Sequence, residues 1–313
     1  MSDPAVKELA AQLKASSSIE LDPPSLDDRA AVLDFVQKTR AQFDEEYAKF
    51  PNAEGVAISM LEDTPVQGEL YIPEGAGTEK VLLYFHGGGQ VFGSAVSHRH
   101  LVTRFAKAAG IRAWSMDYAM APEAPFPGSM DSAVTIYRHM LEVGLKAENI
   151  IVAGDSGGGN LVMSMIMALK AKKITLPGGI FLISPLLDSK RSHPTHQLLK
   201  HKEPWVNEAI SNMTITLVAN GIPLDNPYLS PVYGDLDNLP PLLIHVGTDE
   251  VLLGDSLTLA NKAAIGGADV TLRVYKDMFH AWHIFHPVLT RDAVGAIEEA
   301  GAWMAAVLAG KIG

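Results

Sequence analysis

Three observations predict an α/β protein with an eight-stranded, mostly parallel sheet and a helical cap. Eight short apolar runs have the length and composition of strands. From the third onward they are separated by stretches with helical apolar spacing, which is the pattern of right-handed parallel crossovers. The rhythm fails in two places, the first 50 residues and residues 186–235, where helical patches occur without strands. These two segments are expected to form the cap, with the catalytic unit spanning 51–313.

The elements follow in chain order. Residues 4–15 and 25–46 carry helical apolar spacing, with Ser25 and Asp27 as candidate caps for the second helix. Strands are expected near 55–61 and 68–73. The polar break Glu62-Asp63-Thr64-Pro65 between them reads as a hairpin turn. Further strands are expected near 80–86, 112–118, 149–154, 179–184, 241–247 and 270–276. Residues 160–170 read as a helix. The insertion 186–235 holds His193, His196, His201, Trp205 and a helical patch over 205–219. A last helix is expected near 287–310. No internal repeat or low-complexity tract is present.

Gly154-Asp155-Ser156-Gly157-Gly158-Gly159 lies between the apolar strand 149–153 and the helix 160–170. Gly154, Ser156 and Gly158 fit G-x-S-x-G, a strand-to-helix turn that lifts a serine hydroxyl above the sheet. The flanking residues must be small because the turn is tight and strained. A second run, His86-Gly87-Gly88-Gly89, directly follows the strand at 80–85. Acyl transfer puts negative charge on a carbonyl oxygen. Backbone N–H groups aimed at it in a dry site are worth roughly 2.7–4 kcal/mol each. Gly88, Gly89 and Gly157 are the candidate donors. His86 and Gly87 shape that loop, and Asp155 reads as structural.

A nucleophilic serine needs a base, and the base needs an orienting carboxylate. Strand 241–247 ends at Thr248-Asp249-Glu250, and strand 270–276 is followed by Asp277-Met278-Phe279-His280. Both loops leave the C-terminal ends of strands, where open α/β sheets build their sites. Asp249 comes first after its strand, ahead of Glu250 and Asp255. His280 is preferred over His245, His283 and His286. The expected triad is Ser156, Asp249 and His280.

At these residues the chain resembles the hormone-sensitive-lipase-like family (bacterial family IV) of α/β-hydrolase-fold esterases. The shared marks are His86-Gly-Gly-Gly, Asp117-Tyr-Ala-Met-Ala-Pro-Glu123 with Pro125-Phe-Pro, and Gly154-Asp-Ser-Gly-Gly-Gly-Asn160. Leu229-Ser-Pro231, Leu239-Pro-Pro241, Gly247-Thr-Asp-Glu250 and Phe279-His280 complete them, in matching order and spacing over roughly residues 70–310. The resemblance implies carboxylester hydrolysis without a cofactor, under a helical cap. Two departures stand out. Gln90 occupies a position where an aromatic is usual, and Gly157 one where alanine is commonest. Gln90 is therefore a candidate substrate-pocket residue, or else it turns away to bond a neighbouring loop. Glu123 reads as a buried carboxylate tying loops together.

Composition agrees and excludes other classes. The 313 residues are 47% hydrophobic and carry a net charge of −11, which disfavours nucleic acid or an anionic membrane as partner. There is no cysteine, hence no disulfide framework and no thiol chemistry. The first residues lack the pattern of a signal peptide, so a cytoplasmic enzyme acting on a small-molecule ester is expected; a homodimer stays open. His280, His283 and His286 form H-x₂-H-x₂-H, but no carboxylate accompanies them and no metal is expected. His98, His100, His193, His196 and His201 read as surface or cap residues. The methionines at 163, 165 and 167 read as core filling, one of them as a further pocket candidate. Acyl groups of roughly two to eight carbons are expected to fit under a cap. Lactone or activated-amide hydrolysis uses the same triad, acyl transfer to an alcohol is a third outcome, and a non-catalytic binding protein on this fold is the rival from another class.

Overall fold

The computed structural model describes residues 3–17 and 23–312. Its centre is an eight-stranded sheet: β1 (Val56–Met60), β2 (Gly68–Pro73), β3 (Val81–Phe85), β4 (Arg112–Met116), β5 (Ile150–Asp155), β6 (Gly179–Ile183), β7 (Leu242–Gly247) and β8 (Val270–Tyr275). The strand order is β1-β2-β4-β3-β5-β6-β7-β8. β1 and β2 pair antiparallel as the expected hairpin, and β2 is also antiparallel to β4. All other pairings are parallel.

The central strands are buried on both faces, so their sequences are almost continuously apolar, with Ser115 in β4 and His245 in β7 among the buried polar exceptions. In β3, Leu82 and Tyr84 point into one core while Val81, Leu83 and Phe85 point into the other. The helices are α1 (Pro4–Ser17), α2 (Arg29–Tyr47), α3 (Ala95–Ala109), α4 (Gly128–Glu142), α5 (Ser156–Ala171), α6 (Thr195–Leu198), α7 (Glu208–Ala219), α8 (Leu253–Ile265) and α9 (Asp292–Val307). The first core takes Leu101 and Phe105 from α3 with Ile297 and Met304 from α9. The second takes Val134 from α4, Ile166 from α5 and Leu259 from α8. Met163 and Met165 lie in this second core, and none of Met163, Met165 and Met167 lines the main cavity.

A third apolar cluster joins the two segments that broke the strand rhythm. Val32 and Val36 of α2 meet Met213 and Val218 of α7, with Val91 and Phe92 from the loop after β3. Residues 1–2 and 18–22 of the N-terminal segment lie outside the described residues. The cap of α2 is Asp28, whose side chain accepts from Ala31 N at 3.0 Å. It is neither Ser25 nor Asp27: those residues build the preceding turn, in which Asp28 N donates to Ser25 O. The final helix begins at Asp292 rather than near 287, because a short 3₁₀ turn over Trp282–Phe285 is followed by further turns.

Candidate active site

Ser156 is the first residue of α5 and has φ +52°. A left-handed backbone is strained for a residue with a side chain and survives only where its surroundings impose it. Here the close packing of β3, the glycine loop and α5 imposes it. A Cβ on Gly157 would lie 2.6 Å from Gly89 Cα and 2.8 Å from Gly89 N. The two expected oxyanion segments are thus in backbone contact, and Gly157 is what lets them approach. Gly88 and Gly89 have φ +96° and +64°. Among the described residues neither donates its N–H to a protein acceptor. Gly157 N sits in the first turn of α5, where helix N–H groups have no intrahelical partner. The result is a set of free donors beside Ser156.

The loop is braced from below. His86 is fully buried, its Nδ1 lies 2.8 Å from Gly87 O, and its ring stacks on Tyr118 at 4.5 Å. Tyr118 donates to His86 O at 2.8 Å. Burial, reinforced by neighbouring His98, depresses the His86 imidazole to about 3, so it is neutral scaffold. Asp155 is buried, accepts from Tyr84 OH at 2.8 Å and lies 3.5 Å from His98 Nε2. Burial pushes its carboxyl up, but His98 and the Tyr84 hydrogen bond outweigh this and hold it below the usual range. The side chain of Asp155 also sits where a Cβ on Gly87 would go, which explains that glycine.

The carboxylate beside His280 is Glu250, and the expectation of Asp249 is corrected. Glu250 Oε2 lies 3.3 Å from His280 Nδ1. Its Oε1 accepts from Ser184 Oγ at 2.8 Å and from Gly247 N at 2.6 Å. Glu250 is completely buried. Asp249 turns the other way, accepting from Lys202 Nζ at 3.0 Å and from Thr248 Oγ1 at 3.1 Å on a partly exposed side of the loop. Successive residues of a tight turn face different sides, and the longer glutamate reaches back under the imidazole. Ser184, which sequence reasoning missed, links the pair by also accepting from Ala281 N at 3.1 Å. Burial disfavours a charged His280, yet the Glu250 hydrogen bond and charge, with Glu203 and Asp155, raise its pKa above the ordinary value.

Gln90 is corrected as a pocket residue. It is buried with φ +58° and donates through Nε2 to Asn160 Oδ1 at 3.0 Å and to Gly157 O at 3.2 Å. It clamps the glycine loop onto α5. It lines a small cavity of about 20 Å³ and is not among the residues that line the main one. Asn160 extends the clamp, donating to Leu186 O and Leu229 O, both at 2.9 Å. Glu123 is an exposed carboxylate rather than a buried one. Its two oxygens accept from Arg40 at 2.9 and 3.0 Å, and Arg40 also donates to Val91 O and Ala121 O. It does tie loops together, through α2.

The three histidines of H-x₂-H-x₂-H diverge. His280 reaches the site, His283 Nε2 lies 3.1 Å from His245 Nδ1, and His286 Nε2 lies 2.9 Å from His100 Nδ1. His98 and His100 are buried in α3 rather than surface or cap residues, and His196, in the 186–235 segment, is buried too and bonds Asp255 at 2.9 Å. They satisfy interior polar groups, a role their sequence surroundings do not reveal.

Ser156, His280, Gly88 and Gly89 open onto one cavity of about 780 Å³. Aromatic side chains from α2, including Phe35 and Phe43, wall it together with Phe92, Trp205 and Phe285. A strained serine at a helix start, free backbone donors beside it and a buried carboxylate–histidine pair on the same cavity are the groups that acyl transfer requires. The model of a family with the α/β-hydrolase fold matches residues 82–284. The chain belongs to the α/β-hydrolase family, on its hormone-sensitive-lipase-like branch. An acetyl-hydrolase of Streptomyces hygroscopicus is 38% identical over 225 residues, 72% of this chain and 75% of that protein. An esterase of Acinetobacter venetianus is 30% identical over 279 residues, 89% of this chain and 88% of that one. A hormone-sensitive lipase from a metagenome library superposes with a TM-score of 0.90 at 33% identity, covering 97% of this hydrolase and 98% of the other chain. Among the described residues no helix is long and apolar enough to cross a membrane.

Proposed function

We propose that this hydrolase is a serine carboxylesterase acting on short carboxylic esters, with Ser156 as nucleophile, His280 as general base and acid, and Glu250 as the orienting carboxylate. The observation that carries the reading is the buried Glu250–His280 pair facing the same cavity as the strained Ser156. His280 takes the proton as Ser156 Oγ attacks the ester carbonyl. Glu250 fixes the tautomer with Nδ1–H toward itself and stabilises the imidazolium. The N–H groups of Gly88, Gly89 and Gly157 receive the oxyanion. His280 then protonates the leaving alcohol, and water repeats the attack on the acyl-enzyme. The chemistry needs no cofactor.

The segments 1–50 and 186–235 are read as the cap, supported by the cluster joining α2 to α7 and by the cavity wall they supply. The aromatic wall suits apolar acyl and alcohol groups, and the acetyl-hydrolase relative supports short acyl chains. A cytoplasmic location is part of the same reading.

Purified protein, tested on a panel of esters, lactones and amides, decides the substrate class. Ser156→Ala should lose roughly 10⁶-fold in rate, and an organophosphate should label Ser156 alone. Labelling elsewhere, or an alanine variant within about tenfold of the parent, would overturn the assignment.

A further inference from the structure

The segment 202–205 of the proposed cap closes on the acid–base pair at three points. Lys202 Nζ holds Asp249 Oδ1 at 3.0 Å, anchoring the loop that carries Glu250. The Trp205 ring lies 5.8 Å from the His280 ring and 5.2 Å from Phe285. Between them Glu203 is 7% exposed, in the wall of the cavity that Ser156 and His280 share. Its Oε1 accepts from Trp205 N at 2.9 Å and Val206 N at 3.3 Å, which fixes the side chain. Its Oε2 is buried with no hydrogen-bond partner.

An unpartnered carboxyl oxygen in such a place is costly. A structural role for Glu203 accounts for Oε1 alone. What Oε2 can act on is the charge that comes and goes on His280, which lines the same cavity. His280 and Glu250 both act on Glu203 electrostatically, the imidazolium favouring its ionised form and the carboxylate opposing it. Burial dominates and lifts the Glu203 carboxyl to about 7, so it ionises in the range where His280 itself must work.

We propose that Glu203 is a positioning residue of the catalytic base: together with Glu250 it stabilises the His280 imidazolium that forms when Ser156 gives up its proton. The cap thereby contributes to the proton-transfer step as well as to the cavity wall. This rests on His280 being the base. The ionisable groups that act electrostatically on His280 are Glu250 from the β7–α8 loop, in contact with it, Glu203 from the cap segment and Asp155 at the end of β5. Glu250 and Asp155 are held by other partners, Ser184 and Tyr84. Glu203 is the member with a free oxygen.

The test is Glu203→Gln in the full chain, because glutamine preserves the size and the acceptor for both backbone N–H groups. The acidic limb of the pH profile of kcat/KM on a p-nitrophenyl ester should become a single ionisation with its midpoint lower by about half a unit or more, and kcat should fall about threefold or more with KM nearly unchanged. Superimposable midpoints overturn the proposal, and so does a lower kcat with an unmoved midpoint, which marks a structural role. Should the glutamine variant not fold, the unaltered protein still decides. The NMR titration of the His280 ring should show two steps, because a coupled neighbour ionises in the same range. A single step overturns the proposal. Organophosphate labelling of Ser156 separates this failure from failure of the esterase reading, since labelling persists in the first case and is absent in the second.

Discussion

Replacing the two adjacent acids after β7 one at a time discriminates sharply between them. Glu250→Gln removes the charge beside His280 Nδ1 and presents either an amide N–H or a weaker carbonyl acceptor to it. The amide N–H would face a ring nitrogen that must itself carry a proton for His280 Nε2 to accept one from Ser156. Three bonds converge on this carboxylate, from Ser184 Oγ at 2.8 Å, Gly247 N at 2.6 Å and His280 Nδ1 at 3.3 Å, and it is wholly buried. Loss of the orienting carboxylate in a serine–histidine–acid site costs about 10⁴-fold in kcat, or roughly 5.5 kcal/mol of transition-state stabilisation. Asp249→Asn removes only a partly exposed ion pair with Lys202, which is worth at most about 1 kcal/mol, or some fivefold. Initial rates on p-nitrophenyl butyrate give kcat/KM, and titration with an organophosphate counts competent serines so that misfolded material is not mistaken for slow enzyme. Circular dichroism checks the fold. An asparagine variant at 249 that is slower than the glutamine variant at 250 would refute the geometry and restore Asp249 as the orienting acid.

Two further outcomes follow from the buried polar groups. Gln90→Phe breaks the clamp to Gly157 O and Asn160 Oδ1, leaving buried groups unpaired at about 1–3 kcal/mol; kcat should fall for all substrates while the ratio of lactone to simple-ester kcat/KM stays constant, and a changed ratio would put Gln90 back in the pocket. Stability should fall in acid. Burial holds His86 and His245 at about 3, against about 6.5 when unfolded. Below that value the unfolded chain takes up protons that the folded one refuses. Their contribution is present above pH 6.5 and lost as pH falls toward 3. The slope approaches about 1.4 kcal/mol per unit per group, which gives about 3 kcal/mol for the two between pH 6.5 and 5. His280 and Glu203, raised on folding, act in the opposite sense as single groups. The urea midpoint should therefore drop from pH 7 to pH 5, and a level or rising midpoint would contradict the neutral buried histidines.

Much of this protein is local and therefore legible. Apolar runs of strand length and helical spacing between them encode the sheet, because a strand buried on both faces is apolar at nearly every position. The elbow around Ser156 and the loop at Gly88 and Gly89 are legible for a similar reason: positive φ and backbone contact admit few residues besides glycine. His280 follows from its place at a strand end. What stayed hidden depends on which way a side chain turns within a loop and on what a distant segment brings to it. Asp249 and Glu250 are neighbours with the same charge, and only the packing of Ser184, Gly247 and His280 selects the second. Gln90 could face the cavity or α5 until Asn160 and Gly157 are seen to claim its amide. Glu203 is 77 residues from His280 in sequence, and nothing local marks it. Short-range sterics fix backbone shape and so leave a residue pattern, whereas the pairing of buried polar groups is settled by long-range contacts that leave none.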